Sequence, residues 1–295
     1  GLVSCHTQSE IMHLVSPTPE GPFTPTDDGP NHDGIIVSPE AHNPSVVRAS
    51  DGTYLLFSIG HSPLLASASL NGPWRPVNFT SCNNPAPVVV PGHDPVYVYC
   101  HGGPDHDHWG SSVGMVWTPH WSSGVWNIAQ NNTDDIHGGG RDMIGHPVED
   151  PFAWYQQSTN PLAPGPFHLL FHGFRMGMVN ASGATMPGPA TPQGVKWAAE
   201  HREGNAYGAY ANAPSPFGPW SFQEARVAYA GVVALDDGNV LGLLRRERPH
   251  LLLSPEGEPT HLYSGVCPEG NNPEGPGTQP EHCFTMAQRI SSTSP

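Results

Sequence analysis

Four prolines follow polar residues at the start of apolar runs, and these polar residues are the strongest candidates for chemistry. They stand in the runs His42-Asn43-Pro44, Asn84-Pro85, Glu149-Asp150-Pro151 and Arg246-Glu247-Arg248-Pro249. An Asn or Asp before Pro often does no more than open a turn, and for Asn84 we favour that interpretation. Asp150 and Glu247 differ, because each sits among further polar side chains.

Asp150 and Glu247 are carboxylic acids, and two carboxyl groups facing one bond are what glycoside hydrolysis requires. One carboxyl is kept protonated, and the two are about 5 Å apart for retention or about 6.5 to 9.5 Å apart for inversion. Guanidinium groups at Arg246 and Arg248 favour the ionised form of Glu247, which argues against an acid role for it. Alternatively, these arginines bind an acidic sugar, such as a uronate or a sulfated unit, through bidentate contacts.

Two other stretches carry reactive side chains. Strand alternation puts His106 and His108 on one side of the chain, which makes them weak candidates for a structural divalent cation. The alternative is a solvated loop, and no other cofactor is expected. Ser112 lies in a Gly-x-Ser-x-Gly pattern, but that motif needs a following helix, and none is predicted.

The elements that must position these groups repeat along the chain. A unit at about 43–78 has an Asn-Pro start, an Asp-Gly turn, further short apolar runs and a closing Gly-Pro-Trp. The same order recurs at about 84–130 and 150–224, and it recurs at about 247–290 without the closing Gly-Pro-aromatic. Four short strands per unit predict a β-propeller, whose sheets pack face to face around an axis. A β-sandwich or jelly roll is the alternative all-β fold.

Residues 1–26 carry the back half of such a unit, ending in Gly21-Pro22-Phe23. This half either closes the last blade from the other terminus or belongs to another blade whose first strands lie upstream of Gly1. We predict a five-bladed propeller in a single domain, which a length of 295 residues permits.

In a propeller the first strand of every blade lines the central channel, so residues at the starts of these strands converge at a pocket. Besides the two acids, this argument selects a set of candidate substrate-binding residues: His42, Asn43, His146, Glu149, His172, Arg246 and Arg248.

The runs that begin at His42, Glu149 and Arg245 together resemble the five-bladed propeller glycosidases. These are the arabinanase and xylosidase, invertase and levansucrase, and agaro-oligosaccharide hydrolase families. The resemblance implies that Asp150 tunes a pKa or stabilises the transition state and that Glu247 is the general acid. Those families place an Asp where this chain has Asn43.

Asn43 cannot act as a base or nucleophile in the way a carboxylate does. Either Asp33 or Glu40, the acids nearest in sequence, substitutes for it, or the protein binds sugar without cleaving it.

Composition indicates a folded extracellular protein. The chain holds 11 basic and 26 acidic residues for a net charge of -15, which disfavours nucleic acid and anionic membranes as partners. No stretch is long and apolar enough to insert in a membrane. The cysteine spacing predicts disulfides Cys82–Cys100 and Cys267–Cys283, leaving Cys5 over. Sequons predict glycosylation, and hence secretion, at Asn78, Asn131 and Asn180.

The sequence therefore predicts a secreted, glycosidase-like propeller that binds and cleaves an extracellular polysaccharide through Asp150, Glu247 and Asp33. The alternative is a non-catalytic propeller that binds carbohydrate or builds an extracellular matrix or filament with assembly partners. Asn43, the low charge content and Cys5 favour the alternative. An esterase using Ser112 is a third class.

Overall fold

A computed structural model describes residues 9–27, 34–37, 40–60, 63–80, 82–101, 113–129, 148–156, 165–173, 207–222, 228–268 and 283–290. Within these ranges almost all regular structure is β-strand, and the one helical segment is a 3-10 turn at Trp121–Ser123. None of the helical structure described in these ranges could cross a membrane. Two compact units are distinguished, the first comprising 1–109, 113–133 and 153–155 and the second 110–112, 134–152 and 156–295.

The N-terminal residues form two short antiparallel pairs. These pair β1 (Ile11–Met12) with β4 (Ile35–Val37), and β2 (Leu14–Val15) with β3 (Thr24–Pro25). The predicted back half of a blade therefore pairs within its own region of the chain.

The first unit contains two four-stranded antiparallel sheets, each a simple meander in chain order. The first sheet consists of β5 (Ala41–Arg48), β6 (Tyr54–Gly60), β7 (Leu64–Ser67) and β8 (Arg75–Pro76). The second consists of β9 (Asn83–Val89), β10 (Val96–His101), β11 (Val113–Thr118) and β12 (Asn127–Ile128).

Two more four-stranded sheets follow. The third consists of β13 (Val148–Tyr155), β14 (Phe167–Gly173), β15 (Tyr207–Ala213) and β16 (Ser221–Phe222), with β13 belonging to the second unit as far as Phe152. The fourth consists of β17 (Val232–Ala234), β18 (Val240–Leu253), β19 (Pro259–Pro268) and β20 (Phe284–Arg289). Its fourth member is thus β17, a strand the sequence analysis did not predict.

Alternation along β6 explains how the first sheet is buried on both faces. Leu55 and Phe57 pack with Val96 and Val98 of the second sheet, whereas Leu56 points the other way, into a cluster with Ile11 of the N-terminal pair. Successive strand residues face opposite sides of a sheet. A run of consecutive apolar residues, such as 54–57 of β6, therefore belongs to a sheet packed on both sides.

The predicted repeat extends to the turns and cross-links. Gly21, Gly72 and Gly218 each have positive φ before Pro and an aromatic residue. A β-carbon at Gly72 would lie 3.2 Å from the Trp74 ring, which explains why this turn takes glycine. The disulfides Cys82–Cys100 and Cys267–Cys283 are confirmed.

The chain is confirmed as an all-β protein of the β-propeller class. The described residues include four sheets with the four-stranded antiparallel order of propeller blades. Three of these sheets begin with the strand that carries the polar-Pro motif, and in the fourth sheet the motif lies on β18. The polar residues are therefore placed by equivalent strands.

Candidate active site

The residue before proline has a left-handed backbone in all four motifs. The φ angles are 52° at Asn43, 45° at Asn84, 50° at Asp150 and 52° at Arg248. Residues other than Gly rarely take this backbone conformation, although Asn and Asp tolerate it. Three of the four positions carry one of these tolerant residues, and Arg248 is the exception.

The strained residue and its proline form a β-bulge. Asn43 and Pro44 together face one partner residue, because the register of β5 with β6 shifts between His42 and Ser45. The same shift occurs at Asn84 in the second sheet and at Arg248 in the fourth. A bulge bends its strand and re-aims the side chain, a feature common beside active sites.

This geometry defines the alignment of the fourth repeat. The residue equivalent to Asp150 is Arg248, which has the left-handed φ directly before Pro249. Glu247 is one position earlier, as the sequence of this run shows, so it corresponds to Glu149 in the third sheet.

In the first unit, the two pre-proline residues are amides that bond to each other. The Asn43 side-chain N–H donates to Asn84 Oδ1 at 2.5 Å. His42 is half-buried beside them in sequence, and Glu40 also has positive φ, at 71°. The two bulged positions of this unit, Asn43 and Asn84, therefore carry amides where the third sheet carries the carboxyl group of Asp150.

In the second unit, Asp150 is buried between neighbouring strands. Its side chain is 6% exposed, and its Oδ2 lies 3.8 Å from Nδ1 of the fully buried His172. The backbone N–H of Arg248 donates to the same oxygen at 3.3 Å. Two residues further along each strand, the rings of Phe152 and His250 lie 5.2 Å apart. Strands β13 and β18 therefore hold Asp150 beside Arg248.

The pKa of Asp150 is raised to about 7. Burial is the largest cause, because it disfavours the charged carboxylate, and the negative charges of Glu149 and Glu247 act in the same direction. The Arg248 charge and its backbone hydrogen bond oppose the rise. Asp150 consequently holds its proton far higher in pH than an ordinary aspartic acid.

Glu247 lies in a cationic setting. Its Oε2 is 3.3 Å from Nη1 of Arg248, and its Oε1 is 3.9 Å from Nε of Arg245. Its side chain is 20% exposed, so solvent and a ligand can reach it. The two acids thus have different surroundings, and the negative charge of Glu247 raises the pKa of Asp150.

Arg246 was predicted to contact substrate, but the structure buries it on the opposite side of the strand, where it is 1% exposed. Its guanidinium group donates to Ala230 O at 2.8 Å and to Gln288 Oε1 at 2.6 Å, and it lies 4.8 Å from the centre of the Tyr229 ring. Through these contacts Arg246 stabilises β18, the strand that carries Glu247.

Tyr229 is a residue that the sequence analysis missed. It is fully buried, its hydroxyl donates to Phe171 O at 3.3 Å, and a β-carbon at Gly208 would lie 2.1 Å from its ring. Burial raises its pKa well above the ordinary value. Tyr229 lies outside the sequence repeat, and its buried contacts all come from other strands, so no local pattern could have revealed it.

Glu149, Asp150 and His172 also offer ligand atoms within 4.8 Å of one another. Carboxylate and imidazole donors suit a divalent cation, but binding requires the carboxylates to be ionised. Burial and two neighbouring acids favour the protonated form of Asp150. The grouping therefore suits either a carboxyl group that holds a proton or a divalent cation that displaces that proton.

Comparison with known proteins gives a similarity of fold. No protein-family model and no curated protein matches the chain. Among solved structures, an endo-arabinase from Bacteroides thetaiotaomicron is 14% identical, with 88% of this chain and 82% of that chain covered and a TM-score of 0.45. An endo-1,4-β-xylanase from the same organism is 12% identical, with coverage of 85% and 72% and a TM-score of 0.47.

An endo-1,5-α-L-arabinanase from Thermotoga petrophila is also similar, at 12% identity, with 86% of this chain and 57% of that chain covered and a TM-score of 0.47. The motifs resemble the arabinanase and xylosidase propellers, and two of these three solved structures are likewise an endo-arabinase and an endo-arabinanase. Identities this low carry no residue's role from those enzymes to this chain.

The structure brings together five of the predicted site residues: Glu149, Asp150, His172, Glu247 and Arg248. His42 and Asn43 belong to the first unit, and Asn78 is exposed, with its side-chain N–H donating to Gly124 O at 3.1 Å. Several predictions fall outside the described residues, namely those on Asp33, His106, His108, Ser112, Asn131, His146 and Asn180.

Proposed function

We propose that this protein is a glycoside hydrolase that acts through the carboxyl groups of Asp150 and Glu247. The observation that carries the proposal is the pairing of a buried acid, with a pKa of about 7, and a partly exposed acid held by two arginines. Two carboxyl groups in contrasting environments are the usual means of supplying an acid and an ionised partner at one pH.

The surroundings support a division of roles opposite to that implied by the family resemblance. Asp150 keeps a proton near neutral pH, as a general acid must. Glu247 is ion-paired with Arg245 and Arg248, and an ionised carboxylate is what a base or nucleophile must be. We therefore assign proton donation to Asp150 and the ionised role to Glu247.

Hydrolysis is tested with the full chain on a panel of polysaccharides by measuring the release of reducing ends. We expect Asp150→Asn and Glu247→Gln each to lower kcat/KM by about 10² to 10⁴-fold. Above pH 7, kcat/KM of the parent protein should fall as Asp150 loses its proton. Glu258→Gln, which changes an exposed acid, should leave kcat/KM unchanged.

The assay is repeated in EDTA to separate a cation at Glu149, Asp150 and His172 from direct acid catalysis. We expect full activity in EDTA. Sugar release at the parental rate by both carboxyl variants would refute the proposal, as would an activity that EDTA abolishes and a divalent cation restores.

A second candidate function is carbohydrate binding without cleavage, with or without assembly into an extracellular matrix or filament. The Asn43–Asn84 amide pair supports it, because amides at these positions can bind hydroxyl groups but cannot exchange protons as carboxylates do. Retention of a glycan with no product, in a correctly folded preparation, would favour this candidate over hydrolysis.

We also propose that the protein works outside the cell. Two disulfides support this location, because such bonds persist in oxidising compartments. The glycosylation sites at Asn78, Asn131 and Asn180 stay predictions, and a mass shift after glycosidase treatment of protein from a secretory host would test them.

A further inference from the structure

The few cations of this chain are concentrated beside Glu247. The protein has 11 Lys and Arg residues in 295 and a net charge of -15. Three of these 11 residues lie in one four-residue stretch of β18, namely Arg245, Arg246 and Arg248. An acidic protein repels anions in general, so a cluster of arginines at one strand gives that strand a distinct electrostatic character.

Strand geometry divides these arginines by function. Arg246 is buried, and its hydrogen bonds and ring contact all stay within the protein. Arg245 and Arg248 both lie at the Glu247 carboxylate, with side chains 37% and 53% exposed. Both guanidinium groups thus keep exposed surface beside the Glu247 carboxylate, where a ligand can reach them.

Arg248 also stands between the two acids. Its backbone N–H bonds to Asp150 while its side chain contacts Glu247. Its φ of 52° favours Asn, which occupies the equivalent positions at Asn43 and Asn84. Backbone geometry therefore disfavours an arginine here, and the accessible guanidinium group is the feature that distinguishes this position.

We propose that Arg248, assisted by Arg245, binds the anionic substituent of a sugar lying at Asp150 and Glu247, so that the ligand is an acidic glycan. The inference rests on the proposed function for the placing of that sugar. A guanidinium group recognises a carboxylate or a sulfate through two parallel hydrogen bonds. Uronic acids and sulfated sugars share this chemistry, and the experiment distinguishes them.

The test is a glycan array in which each uronic-acid oligosaccharide stands beside its carboxyl-reduced form and each sulfated one beside its desulfated form. Calorimetry on the best pair then follows. We expect the full-length protein to bind the acidic member at least 10-fold more tightly, with the preference falling as salt rises. Which kind of pair shows the preference identifies the anionic group.

Variants test the residues themselves. Arg248→Asn removes the charge but suits the left-handed backbone, and it should abolish the preference, whereas Arg248→Lys should keep part of it. Arg245→Gln should weaken it. Arg289→Gln, an exposed arginine on β20, is the matched control and should have no effect.

Equal binding of acidic and neutral members, no binding to any glycan, or an unchanged preference in a folded Arg248→Asn variant would overturn the inference. The outcome is distinguishable from that of the hydrolysis assay. Acidic preference without product would support this inference and count against hydrolysis. Cleavage of neutral glycans with no acidic preference would do the reverse.

Discussion

Burial is what separates Asp150 from Glu247 among the carboxyl groups of the second unit. Both side chains are acids beside Arg248, but Asp150 is almost fully enclosed, while Glu247 keeps contact with solvent. Removing a carboxylate from water disfavours its charged form unless enough donors compensate. The hydrogen bond from the Arg248 backbone N–H does not offset this cost, so the pKa of Asp150 rises to about 7.

This shift has a consequence for stability. An unfolded aspartic acid has a pKa of about 3.9, so between pH 4 and pH 7 the folded protein binds more protons than the unfolded chain. The free energy of unfolding therefore falls as pH rises through this window and is level above it. We expect Asp150→Asn, which cannot titrate, to gain stability relative to the parent as pH rises.

The gain at pH 8 should be about 4 kcal/mol, or several degrees in Tm, and close to zero at pH 4. Asn suits the backbone of this position, as Asn43 and Asn84 show at equivalent ones. Thermal unfolding of both proteins from pH 4 to pH 8 measures it, with Glu258→Gln as the control. A difference in Tm that does not change with pH would contradict this explanation.

At the scale of elements, the bulge before proline determines where the polar side chains lie. In the first unit a hydrogen bond joins Asn43 to Asn84, and in the second unit one joins Arg248 to Asp150. In both units, therefore, a hydrogen bond connects the pre-proline residues of two different sheets. The left-handed turn re-aims each side chain away from regular alternation. The motif is therefore a positioning device, and its chemistry depends on which side chain it carries.

The cost of this backbone can be measured at Asn43. Asn43→Val and Asn43→Gly both remove the bond to Asn84, but only Val is strained at φ 52°. We expect the Val variant to be less stable than the Gly variant by about 1 to 2 kcal/mol, measured by urea unfolding. Equal stabilities would show that the left-handed conformation is not maintained at this position.

At the scale of the whole molecule, cross-links reinforce individual sheets. Cys82–Cys100 joins residues of the second sheet across a separation of 18, and Cys267–Cys283 joins residues of the fourth across a separation of 16. A disulfide that closes a loop of this length lowers the conformational entropy of the unfolded chain, which stabilises the folded protein by about 3 kcal/mol for each bridge. Each bridge therefore supports the compact unit that contains it.

Removing the bridges should have unequal effects. We expect the Cys82→Ala, Cys100→Ala double variant to lose about 3 kcal/mol or more, because both sulfur atoms are buried and a cavity adds to the loop entropy. The Cys267→Ala, Cys283→Ala variant should lose less, since Cys283 is exposed. Urea unfolding checks this order, and an unchanged midpoint in the first variant would contradict it.

The sequence by itself determined the repeat, the all-β class and both disulfides. It also singled out the residues before proline. These features are local: alternation, turn residues and cysteine spacing each act within a few residues or one sheet. Local signals failed at β17 and gave no indication of the bulges, because strand partners and bulges depend on pairing with other parts of the chain.

Only the tertiary structure decided the electrostatics. Sequence adjacency suggested that Arg246 and Arg248 share a role, but strand β18 buries the first and exposes the second. Asp150 keeps its proton because burial raises its pKa, and its charged neighbours Glu247 and Arg248 come from another strand. The charge state of a group depends on burial and on neighbours distant in sequence, and these exist only once the sheets have packed.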